Sequence, residues 1–371
     1  MRVTAVELRD FRNYERAKLA LDERLTVVVG PNGAGKTNLL EALYLGATAR
    51  SPRTSTEREL VRRGSDVMRI VLSFTDHDGD HSLEVGIELG QGRRLKLDGA
   101  VLDGISDAVA RPLMAVFLPD RLELVKGSPG RRRAHLDQVV AALWPSRAST
   151  RLAYARALAQ RNALLAELRA STSALRSLDS WDTELARHGA TLMSDRQAAL
   201  DLLAQPLAVR AEALGLPAPL AAIYRPRCAT SDADALASEL FARRSVDLER
   251  GFTVHGPHRD DVRLELGGVA LRTYGSQGQQ RVGLLSLLLA ERDVLLAERG
   301  RAPLMLLDDV MSELDAERRV ALAEVLYSDG QALITATEPE HVPGATDGRA
   351  TIIAVDEGRL TTPSSAHVVL G

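Results

Sequence analysis

Apolar positions along this 371-residue chain follow three rhythms. Unbroken runs at Leu25-Thr-Val-Val-Val29 and Pro303-Leu-Met-Leu-Leu307 have the character of strands buried on both faces, and Leu333-Ile-Thr-Ala-Thr337 reads as a further strand. Alternating runs at Ile70–Phe74, Ser82–Leu89 and Arg94–Leu97 predict a half-buried antiparallel sheet, preceded by strands at Val3–Leu8 and Leu19–Leu21. Helical spacing dominates from about 147 to 215, where the Ala/Leu/Arg-rich segment Arg151–Leu168 is followed, after a Ser/Thr-rich break, by Trp181–Leu203. Shorter helices are predicted at Asn38–Leu43 and, strongly apolar, at Val282–Arg292. The pattern is a mixed α/β fold interrupted by a pair of helices back to back, an arm.

Chemistry enters where the first buried strand ends. Gly30-Pro31-Asn32-Gly33-Ala34-Gly35-Lys36-Thr37 matches the P-loop pattern G-x-x-x-x-G-K-[ST], and a helix opening at Asn38 follows it. Strand, glycine-rich turn and helix N-terminus together aim several backbone N–H groups at one spot, a phosphate cradle. Residues 30–38 are therefore the expected nucleotide-binding segment, with Lys36 reaching the β/γ-phosphates and the Thr37 hydroxyl on Mg²⁺. The strand ending at Leu307 delivers Asp308-Asp309, the carboxylates expected opposite a P-loop. Asp308 is read as the Mg²⁺ ligand, and Asp309 as the group that orients or deprotonates the attacking water.

A third element defines the subclass. Tyr274-Gly-Ser276-Gln277-Gly278-Gln279-Gln280-Arg281 precedes the apolar helix at 282 and resembles the signature of ABC-type ATPases, with Ser276, Gly278 and Gln279 matching. A serine at a helix N-cap with small neighbours is suited to grip a γ-phosphate through its hydroxyl and the helix dipole. The resemblance implies an ABC-type P-loop ATPase head with an antiparallel side sheet, and a head-to-tail, ATP-dependent homodimer in which the signature of one subunit closes over the nucleotide of the other. Ser312-Glu-Leu-Asp315 resembles the D-loop at that seam, and Thr335 or Thr337 stands where these ATPases commonly place a histidine.

From Lys36 to Asp308 the chain runs 272 residues, more than transporter ATPases insert and far less than long coiled-coil arms require. The expected division is a split head, 1–127 and 252–371, around an inserted helical arm lobe, 128–251. No window approaches 18 apolar residues without charge, which argues against a membrane span. Further long motifs, Leu8-Arg-Asp-Phe11-Arg12-Asn13-Tyr14, the stretch Phe117–Asp137 containing Pro119, Lys126-Gly127-Ser128-Pro129 and Arg131–Arg133, and Gly256-Pro-His258-Arg-Asp260-Asp261, resemble the RecF family of recombination mediators. That resemblance implies a cytoplasmic, weakly ATP-hydrolysing, DNA-stimulated protein acting at gaps and stalled forks with RecR and RecO partners.

Composition narrows this picture. The single cysteine permits no intramolecular disulfide, so a reducing compartment is expected. A net charge of −3 excludes a globally basic nucleic-acid binder, so any DNA surface is local. Two arginine groups are candidates for the DNA backbone: Arg50, Arg53, Arg62 and Arg63, with Arg58, beyond the P-loop helix, and Arg131, Arg132 and Arg133 after a Gly-Ser-Pro-Gly turn. Aromatic content of 4% gives little provision for base stacking, so duplex or single-strand/duplex junctions are the expected DNA. An ATP-gated clamp is one reading; a nucleotide-switched scaffold whose partners contact DNA is the other. Residues 256–261 lack clean metal-ligand spacing and read as a loop packed near the nucleotide or the dimer seam.

Overall fold

The computed structural model describes residues 1–104, 111–118, 122–168, 175–228, 230–328 and 330–361. The expected Ser/Thr-rich break after Leu168 and Pro119 of the 117–137 motif lie outside these residues. Two compact units result: 1–121 with 299–371, and 122–298.

The first unit is built on two six-stranded sheets. Strands β1 (Arg2–Phe11) and β2 (Tyr14–Ala20) form a hairpin, β3 (Leu25–Val29) runs into the P-loop, and α1 (Lys36–Thr48) leaves it. A one-turn helix α2 (Glu57–Leu60) precedes β4 (Val67–Thr75), β5 (Asp80–Glu88), β6 (Gly92–Leu97) and β7 (Ala100–Leu102). These complete an antiparallel sheet of order β2-β1-β4-β5-β6-β7. Burial alternates residue by residue along β4 and β5, as the sequence pattern predicts for a sheet with one solvated face.

The other sheet begins with β8 (Met114–Phe117). In the second unit follow α3 (Glu123–Lys126), α4 (Pro129–Leu143), α5 (Ala148–Leu168), α6 (Leu175–Ala213), β9 (Leu220–Arg225), α7 (Ala233–Ala242), α8 (Arg244–Arg250), β10 (Asp261–Leu266), β11 (Val269–Ala270), α9 (Leu271–Tyr274) and α10 (Gln277–Arg299). The chain then returns to the first unit with β12 (Leu304–Leu307), α11 (Ala316–Ser328), β13 (Ala332–Ala336), β14 (Thr351–Asp356) and β15 (Arg359–Thr361). Sheet order is β15-β14-β3-β13-β12-β8, with β14, β3, β13, β12 and β8 parallel. Strands β3, β12 and β13 are buried at every residue, which explains their unbroken apolar sequence. One core joins both sheets through α1: Leu39, Leu40, Leu43 and Leu45 pack with Val28, Leu306 and Leu333 of the parallel sheet and with Val6, Ile70, Leu72 and Val85 of the antiparallel one.

The compact units divide the chain at other points than the expected domains. Residues 252–298 join the helical unit, and that unit begins at Leu122, not 128. The cause is pairing and charge: β10 pairs antiparallel with β9 from Asp261↔Arg225 to Leu266↔Leu220. Helix α10 is tied to α4 by His135 Nε2 and Glu291 Oε1 at 2.6 Å, and to α6 by Arg210 Nε donating to Asp293 Oδ2 at 2.5 Å. The arm helices also differ from expectation, since α6 continues through Pro206 to Ala213. A proline costs a helix one hydrogen bond and a steric clash; here buried Leu203, Leu207 and Ala211 on either side carry the helix across it.

Buried charges inside this unit are paired across distant segments, although Arg161 Nη2 itself has no hydrogen-bond partner among the described residues. Arg161 is buried, with Nε on Asp182 Oδ1 and Nη1 on Asp247 Oδ2, both at 2.6 Å, and Nη1 also on Thr253 Oγ1. Such a pair is weak evidence of net stabilisation but is costly to break, because removal of one partner strands a buried charge. Arg161→Met is therefore expected to lower unfolding stability by about 3–5 kcal/mol, read from the denaturant midpoint. A loss below about 1 kcal/mol would show that Asp247 finds other compensation.

Candidate functional site

The P-loop closes against two neighbours that leave no room for side chains. At Gly30 a Cβ would lie 2.2 Å from the Val355 carbonyl oxygen of β14, and at Gly35, with φ 118°, it would lie 2.5 Å from Asn13 Nδ2. Asn13 explains that crowding, because its Nδ2 donates to Ala34 O at 2.9 Å while its Oδ1 accepts from Asn38 Nδ2 at 2.9 Å. Tyr14 OH donates to Gly35 O at 3.0 Å. Burial pushes the Tyr14 phenol far above its ordinary value, so it stays a donor. Residues 13 and 14 thus hold the loop from beneath, a role their place in the N-terminal motif does not reveal by spacing, since each bridges 21 positions.

The three expected catalytic groups converge in the first unit. Lys36 folds over the loop and donates to Gly30 O at 2.6 Å and Pro31 O at 3.0 Å. Burial lowers its pKa, opposed by the nearby Asp309 and Asp308 carboxylates. Thr37 Oγ1 donates to Asp308 Oδ2 at 2.7 Å, across 271 residues of sequence. The other oxygen, Oδ1, accepts from Thr335 Oγ1 at 2.7 Å, and that hydroxyl in turn accepts from the Asp309 backbone N–H at 2.9 Å. Burial raises the Asp308 pKa, against the two threonine hydrogen bonds that lower it. Asp309 sits half-buried in left-handed backbone, φ 47°, an uncommon conformation for a residue with a side chain.

Thr335 and Thr337, the two candidates for the position commonly held by histidine, have different partners. Thr335 braces both aspartates, whereas Thr337 Oγ1 contacts His341 Nδ1 at 3.1 Å.

The signature-like segment lies in the second unit. Ser276 caps α10 with a reciprocal box: Gln279 N donates to Ser276 Oγ at 3.2 Å and Ser276 N donates to Gln279 Oε1 at 2.8 Å. Behind the cap, buried Gln280 donates through Nε2 to the carbonyls of Leu271, Arg272 and Gly275 and so fixes the turn. Arg272, Tyr274, Ser276, Gln277 and Gly278 are left exposed on one surface.

The arginines of the two groups differ in their partners. Arg53 and Arg63 line an open cleft of about 630 Å³ beside α1, with Arg12, Asn13, Asn38 and Arg58. Beneath two of these arginines, buried Glu41 accepts from Arg12 Nε and Nη2, at 2.9 and 2.8 Å, and from Arg53 Nη1 at 3.0 Å. Arg50 is exposed. Arg62 donates to Asp10 Oδ1 at 2.8 Å and Arg131 pairs with Glu123 at 2.6 Å.

Arg132, expected in the DNA patch, faces inward. It is buried and bidentate on Asp261, at 2.8 and 3.0 Å, with a third bond to Gly127 O at 2.7 Å. Arg133 likewise donates to Asp260 O at 2.5 Å. Rows of arginine in sequence do not reveal which members face inward; the periodicity of α4 turns Arg132 toward β10.

Residues 256–261 serve the interior of the second unit. Tyr154 OH donates to His258 Nδ1 at 2.8 Å and His258 Nε2 donates to Thr253 O at 3.0 Å, while burial pushes the imidazole pKa down to about 4. Asp260 is buried and accepts from Tyr224 OH and from Arg227 N.

A parallel sheet, a P-loop braced on a strand-end aspartate and a capped signature-like helix define an ATPase head of the ABC and SMC class. The family model for the RecF/RecN/SMC N terminal domain matches residues 2–360. DNA replication and repair protein RecF of Streptomyces avermitilis is 38% identical over 97% of this chain and 99% of its own length. The protein of that name from Myxococcus xanthus is 39% identical over 99% of each chain. A solved structure of the recombination mediator protein RecF with ATP, in the RecFOR pathway, is 28% identical, covers 97% of each chain and superposes with a TM-score of 0.87. The Smc head bound to the C-winged helix domain of ScpA is 14% identical, over 97% of this chain and 96% of that one, with a TM-score of 0.59, a likeness of fold alone. This chain belongs to the RecF family.

Thr335→Val keeps the shape of β13 but strips a hydroxyl shared by Asp308 and the Asp309 N–H. A loss of about 1–3 kcal/mol of stability is expected. The folded-state pKa of Asp308 is raised, so its contribution to stability is present at acid pH and lost as pH rises through that pKa. Removing a lowering hydrogen bond raises it further. The penalty measured by denaturant titration should accordingly be larger near about pH 7 than near about pH 4, and equal penalties would contradict this account of Asp308.

Proposed function

We propose that this chain is an ATP-dependent recombination mediator that dimerises on ATP, clamps DNA, and lets go through slow hydrolysis. The observation that carries the reading is the hydrogen-bond chain Thr37–Asp308–Thr335, which sets the end of the P-loop against a strand-end carboxylate. A hydroxyl and a carboxylate 2.7 Å apart are the hard oxygen donors that Mg²⁺ takes beside nucleotide phosphates. Mg²⁺ would neutralise charge on the β/γ-phosphates. Residues 30–38 would cradle those phosphates and Lys36 would swing from its carbonyls to reach them. Asp309, poised by Thr335, would orient the attacking water; its short side chain fits slow turnover.

The dimer reading is supported by the exposed, firmly built signature turn, whose Ser276, Gly278 and Gln279 would close over the partner's nucleotide. The solved RecF with ATP supports nucleotide binding here. Its RecFOR setting supports RecR and RecO as partners, gap repair and fork recovery as the task, and the cytoplasm as the site of action. Among the described residues no helix is long and apolar enough to cross a membrane. Exposed Arg50 and Arg63 are the remaining candidates for duplex or junction DNA, with DNA stimulation of the ATPase following from their place beside α1. One observation favours the second reading, a nucleotide-switched scaffold with little DNA binding of its own: Arg53, Arg62, Arg131 and Arg132 are held by carboxylates.

Sedimentation with and without ATP tests the clamp. Wild type should dimerise with ATP; Ser276→Arg should bind nucleotide as a monomer yet fail to dimerise, and ATP-driven dimers of that variant would overturn the reading. Asp309→Asn is expected to cut turnover by about 10²-fold or more and prolong the dimer. Unchanged turnover would remove Asp309 from the chemistry.

A further inference from the structure

The RecF reading leaves unused a cluster far in sequence from the nucleotide motifs. Cys228, just after β9, Glu239 in α7 and His255, before the Gly256-Pro257 turn, bring Sγ, a carboxylate oxygen and an imidazole nitrogen within 4.8 Å of one another. His255 Nε2 lies 2.7 Å from Glu239 Oε2. Cys228 and His255 are buried, at 3% and 8% exposure, while the Glu239 side chain keeps 26%. Cys228 belongs to an apolar cluster with Tyr154, Leu185, Leu236 and Leu240.

We infer that Cys228, Glu239 and His255 form a site for a divalent metal ion of the zinc class. Sulfur, nitrogen and oxygen donors in one cluster match the borderline-soft preference of Zn²⁺ and are a poor set for Mg²⁺ or Ca²⁺. In a tetrahedral site with bonds of about 2.0–2.3 Å, ligand atoms stand about 3.3–3.8 Å apart. Opening the His255–Glu239 contact from 2.7 Å by about 0.6 Å therefore makes room for the ion. The apolar shell keeps the thiolate dry, and the partly exposed Glu239 face leaves the fourth position to water.

Charge around the cluster fits a cation. The Asp260 and Glu239 carboxylates lie near Cys228, with Arg243 the opposing charge. On binding, the S–H bond breaks as the S–metal bond forms, and the proton passes to solvent. Thiolate, carboxylate and neutral imidazole then balance the dication. The ion would staple the loop after β9 to α7 and to the segment that leads into His258, the residue that anchors α5 through Tyr154. A free cysteine filling the core as a small apolar side chain is the competing explanation, with His255 and Glu239 as a plain hydrogen-bonded pair.

The sole cysteine makes the test clean. Untagged, reduced, nucleotide-free full chain is titrated with Co²⁺. One equivalent should give a thiolate-to-cobalt charge-transfer band that Zn²⁺ bleaches, that Cys228→Ser abolishes, and that Glu239→Gln weakens by at least about tenfold in affinity. Independently of any variant, Zn²⁺ should slow alkylation of the wild-type thiol by at least about tenfold and raise Tm by about 2–4 °C. Absence of the charge-transfer band, or alkylation at one rate with and without Zn²⁺, overturns the site and leaves the ATPase reading untouched.

Discussion

The bond from Thr37 to Asp308 organises the nucleotide half of this molecule. It joins the first turn of α1 to the end of β12, residues 271 apart in sequence. Both groups are held by independent means: the loop before Thr37 rests on Asn13, Tyr14 and β14, and Asp308 is braced from β13 by Thr335. Because a buried carboxylate is costly without partners, this arrangement requires two hydroxyl donors, and β3, β13 and β12 lie side by side to supply them. The five-strand parallel array is thus the device that carries a phosphate loop and a carboxylate to the same edge.

A second constraint acts within the helical unit. Arg161, Arg196 and Arg132 are buried or nearly so, each matched to aspartates contributed by distant segments: Asp182 and Asp247, Asp137, and Asp261. Residues 256–261 supply several of these links, through Arg196 on Pro257 O, His258 on Tyr154, and Asp261 on Arg132. These internal bonds tie the motif to α4, α5 and α6.

Much of this was legible in the chain. Unbroken apolar runs marked the parallel strands because burial on both faces removes the polar alternation, and the glycines, Lys36 and Thr37 marked the loop because phosphate chemistry admits few substitutes. Asp308 was legible for the same reason. What stayed hidden depends on contacts between distant residues. Asn13 and Tyr14 look like an ordinary hairpin turn, Gln280 like one more polar residue at a helix start, and Arg132 like its neighbours Arg131 and Arg133. The extent of the helical compact unit was not legible, because β9–β10 pairing and the ties of α10 to α4 and α6 leave no local signature. The run of α6 past Leu203 and through Pro206 rests on tertiary packing, which outweighs the local preference to stop.

The most direct test of the central claim is duplex-DNA binding against protein concentration at one fixed moderate salt, with ATP, with ADP and with no nucleotide. Salt must be held constant because phosphate contacts make affinity steeply dependent on it. The clamp predicts steep binding that requires ATP and falls away with ADP. Weak binding that is the same in all three conditions would contradict it, and would place DNA recognition in the partners of an ATP-switched platform.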